Sequence, residues 1–395
     1  MTISRGKNMS TYAGDRVIFD ADSHLMELPD WLGQFADPDV RDRLRPLSEA
    51  MGRAGGKLAE DAVAKAEARR AKGETVGDGD LDERLMQLKG WHAFGAFDPA
   101  DRSRALDHLG FGAQMVFSTF APTQYAGRDT ELAIGGTRAH NRAMAAFCAD
   151  DARLLAVGYV PWLGPETTLS LVTEAIDGGC RIIHLPSAPG DGVSPTHPDY
   201  DPLWALLQDR GIPMVTHIGS GGRPVPRSFH DNGLTVTDFL GGGENVRSKD
   251  FMAIHLPTEV FFSCLILDGV LTRFPRLMVG SIEQGASWVV PWLYRLDQAL
   301  SFAKTEPRLR QLELKPSELV RRQMRFTPWP QEPIGWMIEQ AGEELFLFSS
   351  DYPHPEGTKD PIGRFESNLG HTSPRGRDRF YAGNFADLVG MPVPS

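Results

Sequence analysis

The sequence has few of the features that mark secreted or membrane proteins. Its cysteines, Cys148, Cys180 and Cys264, are only three, and they lie far apart among apolar residues. An odd count without paired spacing argues against a disulfide scaffold and against a zinc knuckle. The opening residues MTISRGKNMSTYAGDR lack the apolar stretch of a signal peptide. No run approaches the roughly 20 apolar residues of a membrane helix. We therefore expect a cytoplasmic protein without a membrane partner.

Charge of one sign is not concentrated anywhere in the chain. The formal net charge is −11, and no block of like charges is long enough to form a tail. Nucleic-acid binding needs a concentrated basic surface, so nucleic acid is not expected as a partner. An acidic total does not exclude an anionic substrate, because local basic residues and a metal ion can dominate the field of a site. A small molecule is therefore the expected substrate.

A glycine-rich turn of the GxGxxG type is also missing after every apolar segment, which argues against a doubly wound nucleotide-binding sheet. What the chain does contain is eight short apolar segments that alternate with helical stretches. These segments are 17–19, 114–117, 155–160, 181–185, 213–217, 276–283, 324–327 and 345–351. Uninterrupted apolar strands are typical of parallel sheets covered on both faces. Eight such units predict a single (β/α)₈ barrel domain over residues 1–395.

One region, about 41–90, differs from the rest in composition. It is rich in Ala, Lys, Arg, Glu and Gly and includes GKLAEDAVAKAEARRAKGE. This composition predicts an exposed helix and then a Gly/Asp-rich connector, inserted after the first strand. The alternative, a linker between two domains, is disfavoured because too little chain precedes it. The insertion can serve as a lid or as a subunit contact, and the sequence does not decide between them.

Polar residues follow the strands at one end of the predicted barrel. Asp22 and His24 follow the first strand, His217 ends the fifth, Glu283 the sixth and Asp351 the eighth. All these ends meet at the mouth, where barrel active sites are built. Asp22 and His24 are two residues apart, so both side chains point to the same side of the strand. Carboxylate and imidazole suit Zn²⁺, Mn²⁺ or Fe²⁺, and no thiolate competes.

Each of these residues alone has an ordinary structural explanation. A histidine at a strand end is often a hydrogen-bonded packing residue, Asp22 can cap a helix, and Asp351 can shape a turn. Four of them on suitable strand ends are harder to explain in that way. The pattern therefore predicts a metal site formed by Asp22, His24, His217 and Asp351.

Several segments together resemble the amidohydrolase-2 branch of the amidohydrolase superfamily. This branch includes aminocarboxymuconate-semialdehyde decarboxylase and the resorcylate and carboxyvanillate decarboxylases. The matching segments are VIFDADSHLME, GYVP with GGCRIIHLP, HPDYDPLWALLQDRGIPMVTHIG, LTRFPRLMVGSIEQGASWVVPWLYRLD, LFLFSSDYPHPEG and YAGNFADLVG. The resemblance implies a metal-dependent barrel whose ligands map onto the same four residues, with Asp22 where many relatives carry His or Glu. It also implies an oligomer, either of identical chains or with a paralogue.

The sequence departs from the decarboxylase pattern at the sixth strand. Where that motif reads His-Gly-Gly, this chain has Glu283-Gln284-Gly285. In relatives the histidine is taken to handle protons or to activate water. Its absence shifts our expectation slightly from decarboxylation towards hydrolysis.

The expected activity is hydrolysis or non-oxidative decarboxylation of a small carboxylate, amide or ester at a divalent metal. Zinc is the first choice, then manganese or iron. In hydrolysis the metal lowers the pKa of bound water and Asp351 accepts the proton. In decarboxylation the metal holds a carboxylate or phenolate, and Glu283 or His255 protonates the carbon. Asp351, Glu283 and His255 are therefore the predicted catalytic residues.

Additional ligand-type residues leave two alternatives open. These additional residues are Glu27, His255, Glu283 and His354. They can bind a second ion or support the ligands of the first. Otherwise they are ordinary surface, packing and loop residues. A second ion would make the chain a dinuclear iron or manganese oxygenase. A closed site without an open coordination position would indicate a non-catalytic subunit associated with a catalytic paralogue. No function is assigned to His140 or His184.

Overall fold

The computed structural model describes residues 11–394, except 75–76, 128, 189, 191, 241–245, 304 and 311. Seven strands are present in this part of the chain. They are β1 Ile18–Leu25, β2 Phe111–Ser118, β3 Leu154–Tyr159, β4 Ile182–His184, β5 Met214–His217, β6 Val279–Ile282 and β7 Met324–Phe326. Each corresponds to a predicted apolar segment. Strand β1 is longer than predicted, so that Asp22 and His24 lie within the strand.

The strands form one parallel sheet in the order β1 to β7, each paired with its neighbours in sequence. The segment predicted as an eighth strand has isolated bridges to both ends of this sheet. Leu347 N–H donates to Phe326 O of β7 at 2.9 Å, and Ala21 N–H of β1 donates to Phe348 O at 3.0 Å. The architecture is a curled parallel sheet with helices, in agreement with an α/β barrel.

Helices connect the strands and cover the sheet. Between β1 and β2 lie α1 Pro38–Arg41, α2 Ser48–Ala71, α3 Asp78–Arg84 and α4 Pro99–Leu109. Between β2 and β6 lie α5 Thr130–Cys148, α6 Pro165–Asp177, α7 Asp201–Arg210, α8 Arg227–His230, α9 Ser248–Ala253, α10 Leu256–Leu267 and α11 Val270–Arg273. After β6 come α12 Val289–Phe302, α13 Pro307–Arg310, α14 Pro316–Gln323, α15 Ile334–Ala341, α16 Pro361–Leu369, α17 Pro374–Asp378 and α18 Asn384–Val389.

A compact apolar cluster fills the inside of the sheet below the polar strand ends. Alternate residues of the strands contribute to it, among them Phe19, Met115 and Val157, because successive side chains of a strand point to opposite faces. Phe385 and Leu388 of α18 join the same cluster. The C-terminal helix therefore closes the end of the sheet opposite the mouth.

The segment between β1 and β2 is helical, but less simple than predicted. Helix α2 is bent at Gly52, where φ is 66°, and it buries one face through Ala59, Ala62 and Ala66. It is therefore not exposed all round. The predicted connector was wrong for residues 78–84, which form α3; residues 75–76 of that connector lie outside the described residues.

One helical stretch of the described chain, Ser248–Leu267, is long and apolar enough to cross a bilayer by length and composition. The statement that no run approaches membrane length was therefore too strong. The stretch consists of two helices, α9 and α10, and α10 packs Phe262, Leu265 and Ile266 into the protein core. Of its apolar window 28% is buried, and one such stretch is by itself weak grounds for a membrane partner.

Candidate metal centre

Four buried side chains meet at the mouth of the sheet. Asp22, His24, His217 and Glu283 each offer one ligand atom, and these atoms all lie within 4.8 Å of one another. Asp22 Oδ1 is 3.2 Å from His24 Nε2 and 3.5 Å from His217 Nε2. Glu283 Oε2 is 3.3 Å from His217 Nε2. Strands β1 and β5 and the end of β6 thus direct their polar residues to one point.

A second group adjoins the first and shares His24 with it. It consists of His24, Asp351 and His354. Asp351 Oδ1 is 3.6 Å from His24 Nε2 and 3.0 Å from His354 Nδ1. The rings of His24 and His354 stack with their centroids 3.7 Å apart. All four predicted ligands, together with Glu283 and His354, are therefore brought together in what we call the cluster.

The ligand atoms of the four predicted residues fit a bound cation. Asp22 Oδ1, His24 Nε2, His217 Nε2 and Asp351 Oδ1 are buried, and the described residues give none of them a hydrogen bond. An unsatisfied buried polar atom costs about 1–3 kcal/mol. Two carboxylate oxygens and two imidazole nitrogens are a common ligand set for divalent metals. One divalent ion would satisfy the atoms of Asp22, His24 and His217 together, and Asp351 Oδ1 lies beside the same point, 3.6 Å from His24 Nε2.

The ionisation of the cluster agrees with this ligand role. Burial raises the pKa of Asp22, but the imidazoles of His217 and His24 outweigh it, so that the net shift is downward. Burial lowers the pKa of His24 to about 4. The carboxylate is therefore charged and the imidazole neutral near pH 7, which are the forms that bind metals. His217 Nδ1 lies 3.2 Å from Ile218 O, a contact that leaves Nε2 for the metal.

His354 has the opposite electrostatic environment from His24. Burial lowers its pKa, but the adjacent carboxylate of Asp351 raises it further, so that the net value is about 9. Its Nε2 contacts Thr119 Oγ1 at 2.9 Å. His354 thus has partners on both ring nitrogens, one of them a cluster carboxylate.

The backbone is strained at two residues of the cluster. Among the described non-glycine residues only Glu283 and Asp351 have positive φ, at 57° and 51°. Such a conformation costs of order 1–3 kcal/mol and is found mainly at functional sites. Glu283 N–H donates to Thr327 Oγ1 at 2.7 Å, and Asp351 N–H donates to Asp22 O at 2.9 Å. These bonds hold both carboxylates towards the cluster.

Glu27 lies beside the cluster but belongs to neither ligand group. Its carboxylate accepts hydrogen bonds from the backbone N–H groups of Thr119, Phe120 and Ala121 at 2.9, 3.0 and 2.9 Å. Burial raises its pKa. Because Thr119 contacts His354, Glu27 fixes a loop that supports the cluster. The structure thus places it in a supporting position, and a role in binding a second ion stays a prediction.

Two supporting carboxylates were not identified from the sequence. Glu332 accepts backbone N–H bonds from Ala286 at 2.9 Å, Ser287 at 2.7 Å and Trp329 at 2.7 Å, and so fixes the loop that follows Glu283. No sequence pattern marks it.

Asp20 is the other such carboxylate. It accepts bonds from Ser350 N and Oγ at 2.8 and 2.6 Å and from Gln114 Nε2 at 2.8 Å. Burial raises its pKa to about 7. Gln114 in turn accepts from the buried guanidinium of Arg102 at 3.2 Å. A charged residue within an apolar strand was the available signal, because such a residue needs buried partners.

The structure does not bring His255 to the cluster. It precedes α10, stacks on Trp288 with ring centroids 5.5 Å apart, and lies 3.5 Å from Glu259. It belongs to neither ligand group of the described residues. The sequence placed it near the mouth because it follows the long loop after β5, but the ring of Trp288 and the helix that follows hold it elsewhere.

Two cavities adjoin the cluster. The imidazole-side cavity, about 660 Å³, is bounded by His24, Tyr159, His184, His217 and other residues. Its roof includes residues of α2 and Trp91, so part of the 41–90 region covers it. The carboxylate-side cavity, about 910 Å³, is bounded by Asp22, Asp351 and the segment 355–360, among other residues.

The walls of the imidazole-side cavity are suited to a flat ring with an acidic group. Phe117, Trp91 and Phe120 line it, and the last two stack on each other with centroids 5.8 Å apart. Lys89 is the one lysine or arginine among its described lining residues. Its ammonium donates to Thr358 O at 3.2 Å, and burial lowers its pKa to about 8.

A cluster of carboxylate and imidazole ligands at the mouth of a curled parallel sheet defines a class, the metal-dependent α/β-barrel hydrolases and lyases. The chain belongs to the amidohydrolase-2 family, because the model of this amidohydrolase family matches residues 19–389. The resemblance drawn from the sequence motifs is thus confirmed. The chain is an enzyme, a hydrolase or a carboxy-lyase. No curated protein matches it in sequence.

Solved structures with the same fold cover nearly the whole chain. An amidohydrolase from Mycobacterium avium subsp. paratuberculosis K-10 has a TM-score of 0.72 and 20% identity, covering 96% of this chain and 100% of that one. The 5-carboxyvanillate decarboxylase from Sphingomonas paucimobilis has a TM-score of 0.62 and 19% identity, covering 96% and 100%. A dihydroxybenzoic acid decarboxylase from Polaromonas sp. JS666, solved with bound manganese, has a TM-score of 0.59 and 16% identity, covering 95% and 97%.

Proposed function

We propose that the chain catalyses the non-oxidative decarboxylation of a small aromatic carboxylic acid at one divalent metal ion. The observation that carries this proposal is the set of four buried ligand atoms without hydrogen bonds, beside a cavity with aromatic walls and a single lysine. The solved relatives that act on carboxyvanillate and dihydroxybenzoate support the choice of substrate class. Hydrolysis of a related ester or amide is the second candidate, since Glu283 stands where the decarboxylase motif has histidine.

We infer that Asp22, His24, His217 and Asp351 hold the metal, and that Glu283 either completes the set or faces the substrate. Manganese replaces zinc as the first choice. Carboxylate oxygens suit manganese, and no cysteine lies among the described residues of the cluster. The manganese in the Polaromonas decarboxylase agrees with this choice. When bound, the ion supplies positive charge that attracts a substrate oxygen and stabilises developing negative charge.

The protein groups have separate tasks in this reaction. Trp91 and Phe120, which stack on each other, form one aromatic wall that faces the ring and excludes water. Lys89 attracts the anionic substrate to the cavity. The bond between the ring carbon and the carboxylate breaks, and carbon dioxide leaves. The proton that replaces it on the ring carbon comes from the carboxyl group of Glu283, which lines both cavities. In the hydrolytic alternative Asp351 accepts the proton of the attacking water.

The remaining assignments of architecture and location belong to the same proposal. The segment 345–351 takes the eighth strand position of a (β/α)₈ barrel, and α1 to α3 are an insertion after the first strand. The chain is one domain, works in the cytoplasm, and forms an oligomer of identical chains or with a paralogue. Light scattering of the purified protein tests the oligomeric state.

The decisive experiment measures metal content and product formation for the wild type, His217→Ala and His255→Ala. We expect one manganese per chain in the wild type and in His255→Ala, and none in His217→Ala. His255→Ala is the matched control, because it removes a histidine that the structure places outside the cluster. Release of carbon dioxide from 5-carboxyvanillate or 2,6-dihydroxybenzoate, against hydrolysis of aryl esters, separates decarboxylase from hydrolase.

Other outcomes of this experiment support the alternatives. Two iron ions per chain with consumption of oxygen would favour the dinuclear oxygenase. One tightly held ion with neither product would favour the non-catalytic subunit. Absence of metal from the wild type under several growth conditions would contradict the proposal as a whole.

A further inference from the structure

Three polar side chains line the imidazole-side cavity away from the ligand groups. His140 of α5, Tyr159 at the end of β3 and His184 at the end of β4 form what we call the distal trio. The rings of Tyr159 and His184 have centroids 5.1 Å apart, and those of His140 and Tyr159 6.0 Å apart. His184 is 5.9 Å from His217 by the same measure. One small ring in the cavity can therefore reach both the cluster and the trio.

The two histidines of the trio have hydrogen-bonding capacity that the protein does not use. His140 Nε2 and His184 Nε2 are buried, and no described residue forms a hydrogen bond with either. His140 Nδ1 is engaged by the hydroxyl of Tyr125 at 2.9 Å, which fixes its ring. Buried polar atoms of folded proteins nearly always have a partner. Both atoms belong to side chains that line one cavity, which points to a ligand in that cavity as the missing hydrogen-bond partner.

The surroundings of the trio favour a neutral ligand group over an ion. Neither histidine belongs to the metal-ligand groups found among the described residues. The nearest rings to His140 are those of Trp31, Tyr125 and Tyr159, none of which carries a charge near pH 7. A charged ligand group would be buried there without a counterion, at a large cost. Burial also lowers the pKa of His140 to about 3, so that its imidazole is neutral and can donate and accept.

We propose that the distal trio binds a neutral hydroxyl substituent on the aromatic ring of the substrate, on the side of the ring away from the metal ligands. This inference rests on the proposed function, because it needs the acidic group of the substrate to lie at the cluster. The trio touches the substrate without taking part in bond breaking. It is a specificity site that selects hydroxylated aromatic acids over unsubstituted ones.

The test compares benzoate with 3-hydroxybenzoate and 4-hydroxybenzoate by calorimetric titration of the manganese-loaded protein. We expect at least one hydroxybenzoate to bind the wild type about tenfold more tightly than benzoate, the gain of one net hydrogen bond. In His184→Phe, which fills the space without a ring nitrogen, this preference should fall to about twofold or less. The affinity for benzoate and the manganese content should stay unchanged.

Two further variants guard against a folding artefact. Tyr159→Phe removes a single oxygen from the trio and should lower the hydroxyl preference in part. Tyr381→Phe is the matched control, because it removes a buried hydroxyl that lies outside both cavities, and it should leave the preference unchanged. In nitrogen-15 spectra of histidine-labelled protein, the ring signals of His184 should shift with the preferred hydroxybenzoate more than with benzoate.

The outcomes separate this inference from the proposed function. If His184→Phe keeps the full hydroxyl preference, or if the wild type has no preference, the inference is overturned while the proposed function stands. If none of the three acids binds the manganese-loaded wild type, the proposed function fails, and the inference fails with it. Retained benzoate affinity with a lost hydroxyl preference supports both.

Discussion

The two sides of the metal cluster are built on different backbones. On the imidazole side, His24 and His217 occupy ordinary positions of β1 and β5. On the carboxylate side, Glu283 follows β6 and Asp351 follows the extended segment 345–350, and both have left-handed backbone conformations. A regular strand can direct a side chain only to one face or the other. Residues placed just beyond a strand must turn the chain to reach the same point, and the strain is the consequence.

The loops behind the two sides are nevertheless held in the same way. Glu27 accepts three backbone N–H bonds from the loop after β2, and Glu332 accepts three from the loop after β6 and the neighbouring Trp329. Each replaces the water that would otherwise satisfy those amides. The sides therefore differ in local conformation and not in how firmly their loops are tied.

The largest effect should come from removing a ligand on each side, by His24→Ala and Asp351→Asn. We expect both to weaken manganese binding by more than about 100-fold. Removing a residue that only supports a metal ligand weakens metal binding by about 10- to 100-fold, so a larger loss identifies a ligand. Without metal, Asp351→Asn should lower the Tm through loss of the ion pair with His354 and not through backbone strain, because asparagine tolerates left-handed backbone. His24→Ala should lower Tm by opening a cavity. Calorimetry and thermal unfolding measure both; undiminished manganese affinity in Asp351→Asn would exclude it as a ligand.

The two carboxylates that fix the loops on either side of the cluster, Glu27 and Glu332, should have similar and large effects on stability. Glu27→Gln and Glu332→Gln each replace a charged acceptor by an amide that cannot accept at its nitrogen. We expect each to lower the free energy of unfolding by about 2 kcal/mol. Exposed Glu339→Gln in α15 serves as the control and should change stability by less than about 0.5 kcal/mol. A marked difference in stability between Glu27→Gln and Glu332→Gln would contradict the conclusion that the two loops are held equally firmly.

His140, which lines the imidazole-side cavity, should make the free energy of unfolding depend on pH in a defined direction. The folded pKa of His140 is about 3 and its reference value is 6.5. Its contribution is therefore complete above pH 6.5 and is lost as pH falls, because the unfolded chain takes up the proton first. The loss is about 1.4 kcal/mol for each pH unit below 6.5. The difference in unfolding free energy between wild type and His140→Gln should shrink accordingly from pH 6.5 to 5.5; a constant difference would contradict burial of this ring.

The smallest expected effect concerns the strain itself. Glu283→Gly and Glu283→Ala both remove the carboxylate, but only glycine adopts the left-handed conformation freely. We expect the metal-free glycine variant to be more stable than the alanine variant by about 1 kcal/mol. Thermal unfolding of the two proteins without metal measures the difference. Equal stability would mean that the carboxylate side is not strained.

The positions of the proposed metal ligands could be predicted from the sequence, because they depend on the strand periodicity and on the order of the strands. Once an apolar strand is located, the residue at its end is known to lie at the mouth, and Asp22, His24, His217 and Asp351 follow from this rule. The same rule located Glu283. The backbone conformations of Glu283 and Asp351 do not follow from it, since both residue types are found mostly with negative φ.

Residues that act through tertiary contacts could not be predicted in the same way. Glu332 lies in a loop, and two of its three amide partners, Ala286 and Ser287, come from a turn that is distant in the sequence. His140 is one of several polar residues on α5, and only the packing of that helix shows that it lines the cavity. The error over His255 has the same origin, because the direction of a side chain beside a helix start depends on its neighbours, here Trp288.

Glu283 lines both cavities, and this position affects how substrate enters and product leaves the site. Glu283 lines both cavities together with Ile218, Pro355 and Glu356, so these residues form the boundary between the two cavities beside the cluster. A ring held in the imidazole-side cavity does not block the carboxylate-side one. In the proposed decarboxylation, entry of the acid and departure of carbon dioxide can thus follow separate routes, so that an inhibitor bound in one cavity leaves the other open to water and carbon dioxide.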